Sequence, residues 1–361
     1  MAGYKLNIAV IGAGNGGQAI ATYATMQGCN VVLYDYSTEK VEYLRRLDHF
    51  TLEGKIKGTA TVASITDSPE EAVRGAQVIM VTTTANAHPS VARSVAPFLE
   101  DNQIIILNPG RTCGALVFRQ ALAQAGCTKR VYVAEAQTLV YACRIIEDGR
   151  VNILGVKDEV LLAAIPSCDT AHVLDAINPL YPCFKPTSNV LRTSLENIGA
   201  IFHPCVLLLN AGTIERKSEF YFYRDMTERI AAFIEAVDAE RLSVGKAYGI
   251  DLLGVNDWIK FAYKDTEGDT LCERMRNNPG YHDIKSPSSI FVRQLTEDIP
   301  TGIIPMMELG RKAGLEMKLF QSITTLASAL LGIDFYAEGR TLDLLGLSDM
   351  SQSQILDFIQ K

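Results

Sequence analysis

The sequence predicts a doubly wound α/β domain followed by an all-helical domain, and three observations carry that prediction. Short apolar, β-branched runs alternate with helical periods through the first half of the 361 residues. A G-x-G-x-x-G triplet, Gly12, Gly14 and Gly17, stands where the first such run gives way to the first helical period. Beyond Phe184-Lys185-Pro186 strand patterns nearly vanish and long 3.6-residue periods take over. The length exceeds what one core usually supports, so two domains are expected, at 1–187 and 188–361.

Leu6 to Ile11 has the length and composition of one buried parallel strand, and Gln18 to Met26 runs at helical period to Gly28. The first glycine of the triplet permits a sharp turn, the second admits a pyrophosphate against bare backbone, and the third lets helix and strand approach. Asn15 and Gly16 complete the loop, and the helix N-terminus adds free N–H groups and partial positive charge. Asn30 to Tyr34 is the second strand. Asp35 closes it, where a carboxylate accepts hydrogen bonds from an adenosine ribose and repels a 2′-phosphate. This marks a nicotinamide dinucleotide, NAD in preference to NADP, with NADP left open. Short strands joined by Gly54 and Gly58 follow to Thr66, and Ser68-Pro69-Glu70-Glu71 starts a helix. Gln77 to Val81 is a strand with Thr82 at its carboxyl end, where open α/β sheets place ligands. Gln103 to Leu107 and Val131 to Ala134 add two more strands, and these units together describe a Rossmann sheet. Val151 to Val156 and Val160 to Ile165, flanking Lys157-Asp158, look like an antiparallel addition to its edge. Leu191, Leu195, Ile198 and Phe202 mark one face of a first helix of the second domain; Ile230 to Val244 continues in a second long helix ending at Gly249. Ligand binding is expected between the two domains.

Composition narrows the function classes. Apolar content of 48% and charge of 21% suit a globular enzyme and exclude wholesale disorder. A formal charge of −7 without a basic run argues against nucleic acid and anionic membrane, and no apolar run reaches spanning length. The first strand starts too near Met1 for a signal peptide, and the eight cysteines show neither C-x-x-C nor regular spacing. A cytoplasmic location, reduced thiols and no metal site are expected.

A nicotinamide cofactor needs a partner that moves a proton while the hydride moves, and histidine suits that task. Of five histidines, His49, His88, His172 and His282 fall in expected surface segments. His203 is expected to end its helix before Pro204, with a kink that turns the ring outward. A packed core histidine reads equally well there. Arg293, Glu297 and Asp298 precede a prolyl helix start at Pro300-Thr301. An acid here could orient a histidine and the arginine could grip a carboxylate or pyrophosphate; a charged helix cap is the equal alternative.

At this point the chain resembles the opine dehydrogenases, the octopine and nopaline dehydrogenase family, over nearly its whole length. The resemblance rests on G-A-G-N-G-G, N-P-G near Asn108, and E-A-Q-T-L-V-Y-A-C-R from Glu135 to Arg144. It extends through N-x-x-x-T-S-L-x-N-x-x-A-x-x-H-P from Asn189 to Pro204, the Glu297-Asp298 segment and E-G-R-T-L near the C-terminus. In length and spacing it is most similar to bacterial members that join 2-oxo acids to neutral amino acids. The resemblance implies a Rossmann domain followed by a helical domain of the 6-phosphogluconate dehydrogenase C-terminal type. It further implies reductive condensation of an amino acid with a 2-oxo acid such as pyruvate. It assigns His203 as catalytic histidine, Asp298 as its acid partner, Arg293 to the cofactor pyrophosphate and the oxo-acid side, and Thr138 and Cys143 to the oxo-acid pocket. The sequence departs from the family at Arg111, where a small or amide residue follows the Pro-Gly; an added positive charge there bears on substrate choice. The resemblance leaves a homodimer open. The competing expectations are a 2-hydroxyacid or glycerol-3-phosphate-like dehydrogenase and a nicotinamide-binding sensor without turnover.

Overall fold

The computed structural model describes residues 6–263 and 266–361, which divide into two compact units. One comprises 6–194 with 357–361, the other 195–263 with 266–356.

The first unit is built on an eight-stranded sheet. Its strands include β1 (Asn7–Ile11), β2 (Asn30–Tyr34), β5 (Ser64–Thr66), β6 (Val78–Val81) and β7 (Ile104–Leu107). Here β3 is Phe50–Gly54 and β4 is Gly58–Ala60; β8 (Tyr132–Ala136), β11 (Val160–Ile165) and β12 (Phe184–Pro186) complete the large sheet. Its order is β12-β11-β8-β7-β6-β1-β2-β5, parallel throughout except where β11 runs against β8. The connection from β1 goes to β2 on one side while β6 flanks it on the other. That reversal of strand order opens a crevice at the carboxyl end of β1, where the glycine loop begins. The strands β1, β6 and β7 bury nearly every residue, as near-continuous Val/Ile runs do in a sheet covered on both faces.

The two strands flanking Lys157 divide between different sheets. β11 does join the edge of the large sheet, antiparallel to β8. β10 (Arg150–Val156) instead pairs with β9 (Tyr141–Glu147) and, in parallel, with β3, in a second sheet of order β4-β3-β10-β9. The tight turn at Asp148-Gly149 makes β9 the local partner of β10; Gly149 takes the left-handed geometry such a turn needs. α1 (Asn15–Met26) follows β1. Gln18 on α1 is fully buried, donating to Ala13 O at 2.9 Å and to Asp148 Oδ1 at 2.7 Å, while its own Oε1 accepts from Gly149 N at 2.8 Å. The small sheet is thereby latched onto the glycine loop.

The second unit contains no strand among its described residues. The single helix expected across 191–202 is broken. Val190–Leu195 is one helix and Ile198–Leu209 another, with Glu196 and Asn197 between them. The i, i+4, i+7 pattern survives because both pieces bury the same apolar residues. The long helix Glu228–Ala247 forms as expected, capped by Thr227, whose hydroxyl accepts from Ile230 N. No described helix is long and apolar enough to cross a membrane.

Candidate active site

In the first unit the glycine loop has the shape of a phosphate cradle. A Cβ on Gly17 would stand 1.7 Å from Gly12 O, so helix and strand meet only because residue 17 lacks a side chain. At Gly14 the reverse holds: a Cβ would meet no atom within 4 Å, leaving open space against bare backbone at the N-terminus of α1. The residues present fit a dinucleotide.

Asp35 braces this loop. Its Oδ2 accepts from Ala13 N at 2.8 Å and Oδ1 from Ser37 N at 3.1 Å, which fixes the carboxylate at the end of β2. Thr82 donates to Ile11 O at 3.0 Å and Gly12 O at 2.9 Å, so its hydroxyl supports the turn from beneath. Asn15 Oδ1 accepts from Ile145 N at 2.7 Å and Asn15 O from the Cys143 thiol at 3.4 Å. Cys143 is buried, and burial pushes its thiol up to about 11, which keeps it protonated and unreactive near neutrality. Gly16 packs against Leu139. With Asp35 fixed in this way, Asp35→Ser should lower kcat/KM with NADH relative to NADPH; an unchanged ratio of specificity constants would remove Asp35 from cofactor choice.

β8 and the loops after β7 and β8 carry a further set of polar groups in this unit. Glu135 is fully buried in β8 and accepts from Ala115 N at 2.7 Å, Thr193 Oγ1 at 2.6 Å and Ser194 Oγ at 2.7 Å. Its side chain also occupies the space that a Cβ on Gly110 would need. The loop Asn108–Cys113 is held again by Thr112 Oγ1 donating to Ser194 O at 3.1 Å and Cys113 N to Ser194 Oγ at 2.9 Å. Arg111 sits on this fixed loop with φ +57°, an uncommon setting for a residue other than glycine. Thr138 follows β8, and its Oγ1 accepts from Lys157 Nζ at 2.6 Å. Loss of hydration against the surrounding protein, and then the Arg111 charge, lower the Lys157 ammonium to about 8. A cavity of about 380 Å³ lies alongside, lined by Tyr23, Val140, Tyr141, Tyr181 and Lys157 among others.

In the second unit His203 and Asp298 meet. His203 Nδ1 lies 2.6 Å from Asp298 Oδ2. His203 does not end its helix; it sits within Ile198–Leu209, and Pro204 follows in the helix interior. An interior proline costs about 3 kcal/mol. The helix tolerates it because Ile201, Phe202, Cys205, Val206 and Leu207 are all buried, and tertiary packing decides helical stability. A π-helical turn, Ile299–Ile303, packs on this helix at Gly302, where a Cβ would stand 2.3 Å from Ala200 Cβ. That close approach carries Asp298, at the head of the turn, to the ring. The Asp298 side chain is 2% exposed and that of His203 21%, so the acid is sheltered while the ring stays accessible.

An ionised carboxylate only accepts, so the pair places the ring hydrogen on Nδ1 and leaves Nε2 to exchange protons. The Tyr223 hydroxyl lies 3.3 Å from Nε2 and donates to the neutral ring. Burial, then the charges of Tyr263 and Asp298, raise the Tyr223 hydroxyl well above its ordinary value, so it remains a donor. Arg293 is half exposed and donates to the buried Glu297 carboxylate one turn on.

Of the other histidines, His49, His172 and His282 are exposed as expected, but His88 is fully buried at the start of helix His88–Val95. It packs against the Gly114 end of the next helix, a contact that an isolated reading of the segment hides. Lys157, Tyr223 and Gln18 carry no sequence pattern that marks a site role. Glu135 carries one, as an acid near the end of a strand before a turn.

Comparison with known proteins agrees with this architecture. The family described as NAD/NADP octopine/nopaline dehydrogenase, alpha-helical domain, matches residues 186–331. The NAD-dependent glycerol-3-phosphate dehydrogenase N-terminus matches 7–110, the nucleotide-binding segment alone. The chain is 34% identical to an opine dehydrogenase of Arthrobacter sp. (strain 1C) over 354 residues, covering 98% of each. It is 27% identical to the octopine dehydrogenase of Mizuhopecten yessoensis, covering 92% of each. In three dimensions it is similar to octopine dehydrogenase described with NADH and L-arginine, at TM-score 0.85 and 23% identity, covering 99% of this chain and 98% of that one. Yersinopine dehydrogenase with NADP+ gives TM-score 0.77 at 15% identity, covering 100% and 99%. A glycine cradle backed by Asp35, a histidine–aspartate pair on a helical unit and end-to-end similarity of this extent lead to one conclusion: the chain belongs to the octopine/nopaline (opine) dehydrogenase family.

Proposed function

We propose that the protein condenses a neutral amino acid with a 2-oxo acid and reduces the resulting imine, with NADH as its preferred reductant. It is an NAD(P)-dependent oxidoreductase acting on C–N bonds. The observation that carries the reading is the His203–Asp298 pair, with the ring accessible and its acid sheltered. A sensor has no use for such a proton carrier. When bound, the nicotinamide supplies a hydride, and the Gly12–Gly17 loop and Asp35 hold its dinucleotide. His203 exchanges protons at Nε2: it relieves the incoming ammonium of a proton so that the free amine can attack, and later protonates the substrate as the C–N unit is reduced. Asp298 keeps the ring in the Nδ1–H tautomer. Arg293, with its fork partly engaged by Glu297, offers its remaining donors to an anion. All eight cysteines are free thiols, and we place the enzyme in the reducing cytoplasm on that basis.

The reading predicts amine-dependent turnover. Purified protein with NADH and a 2-oxo acid alone should oxidise little cofactor, and adding a neutral amino acid should start steady turnover, because condensation becomes effectively unimolecular once both are held. Robust NADH oxidation by the oxo acid alone, indifferent to any amine, would instead indicate a carbonyl reductase.

A further inference from the structure

We propose that Tyr223 is a positioning residue for proton transfer: its hydroxyl holds His203 Nε2 in both protonation states and keeps the proton there between the two halves of the reaction. The inference rests on His203 being the proton carrier of the reaction proposed above, and adds the partner of its second ring nitrogen.

That reaction asks His203 to take a proton from the incoming ammonium and to return it only after the amine has condensed with the oxo acid. In the interval the ring is an imidazolium with hydrogens on both nitrogens. Asp298 Oδ2, 2.6 Å from Nδ1, serves one of them. The Tyr223 hydroxyl, 3.3 Å from Nε2, is placed to serve the other. A carboxylate or an ammonium matches only one state of Nε2, since the first only accepts and the second only donates. A hydroxyl does both. Tyr223 donates to the lone pair of the neutral ring and, by turning its O–H bond, accepts from the Nε2–H of the charged one. No covalent change occurs at the phenol: the proton passes from the ammonium nitrogen to Nε2, and from Nε2 back to the substrate. Burial raises the Tyr223 hydroxyl well above its ordinary value, so it surrenders no proton of its own. A hydrogen bond to an ion is stronger than one between neutral groups, so the phenol favours the charged ring and the transition state leading to it.

Packing within the second unit fixes the phenol for this task. The Tyr223 ring lies against three others, with centroids 4.4 Å from stacked Tyr281, 4.8 Å from Phe222 and 5.4 Å from Phe202. Phe202 precedes His203 on the same helix, so the clamp ties Tyr223 to the backbone that carries the histidine. The segment bearing Tyr223 is pinned in turn by Phe222 N donating to Ile284 O and Ser286 N to Phe220 O, each at 2.8 Å. Phe222 also stands edge-on to the His203 ring, 6.0 Å between centroids. With both rings held, only the hydroxyl hydrogen has to turn. The contact at Nε2 is longer than a usual hydrogen bond and the His203 side chain is partly exposed, which leaves the ring open to a substrate nitrogen.

The test is Tyr223→Phe, which keeps the ring and its stacking and removes one oxygen. It is assayed with NADH, a 2-oxo acid and a neutral amino acid, alone and combined with His203→Ala. In Tyr223→Phe kcat should fall about 10- to 100-fold, as expected for losing one charge-assisted contact, while both KM values, NADH affinity and the unfolding midpoint stay near wild type. In the His203→Ala background the same substitution should cost nothing further, because the phenol acts through the ring. Wild-type kcat in Tyr223→Phe overturns the proposal. So does a kcat loss that comes with raised KM values or a lowered midpoint, which marks a packing role, and so does one that multiplies with the loss in His203→Ala. Each of these leaves His203 standing as the proton carrier. A His203→Ala protein that turns over like the wild type removes that role, and this inference falls with it.

Discussion

Replacing His203 with alanine should lower turnover about 10²–10⁴-fold, the usual span for a general acid–base, while NADH still binds. The ring is the accessible member of a pair whose other member is buried, and the glycine cradle is built from residues of the other unit. Asp298→Asn is the sharper variant. An asparagine can turn its amide N–H toward Nδ1, which moves the ring hydrogen to Nε2 and leaves the wrong nitrogen to accept the substrate proton. A loss of similar order is expected with little change in size or packing. Tryptophan or NADH fluorescence checks cofactor binding, and steady-state assays with saturating amino acid and oxo acid measure turnover. Wild-type turnover in folded His203→Ala removes the proton-transfer assignment.

Gly17→Ala should be the most damaging single substitution in the cradle. The added methyl would stand 1.7 Å from a backbone oxygen, and neither partner is a flexible side chain that could swing aside. Overpacking of this kind costs on the order of 3 kcal/mol, which lowers the midpoint of thermal unfolding of a domain this size by about 6–12 °C. NADH affinity should fall with it, since the displaced helix N-terminus carries the phosphate-binding N–H groups. Gly14→Ala is the informative companion. Its methyl meets no protein atom, so folding should survive while the space for the pyrophosphate is lost. A Gly17→Ala protein that melts and binds NADH like the wild type would contradict the close packing of β1 and α1.

Local signals made the first unit legible. A Val/Ile run, a glycine triplet and a strand-ending acid each act within a few residues, and the structure shows Asp35 at the end of β2 accepting from Ala13 N in the glycine loop. Pairing between distant segments was less accessible. β10 and β11 read as one antiparallel addition, because nothing local tells a strand which sheet it will join, and the turn at Gly149 gave β10 to β9. The break at Glu196-Asn197 was hidden for the opposite reason: the apolar spacing continues through it although the backbone does not. His203 was legible as unusual through Pro204, but its meeting with Asp298 spans 95 residues and depends on Gly302 packing against Ala200. Only the resemblance to the opine dehydrogenases joined the two in advance. Lys157 left no signal, since a Lys-Asp pair between strands looks like any solvated turn until Thr138 is found beside it.

The reaction run with NADH deuterated at the transferable C4 position tests the central claim most directly. Imine reduction predicts a product in which one deuterium sits on the carbon that bears both the new secondary amine and the former oxo-acid carboxylate, formed only when the amino acid is present. Mass spectrometry and proton NMR of the isolated product read both the label and its position. Deuterium recovered in a 2-hydroxy acid, with no secondary amine formed, would contradict the account.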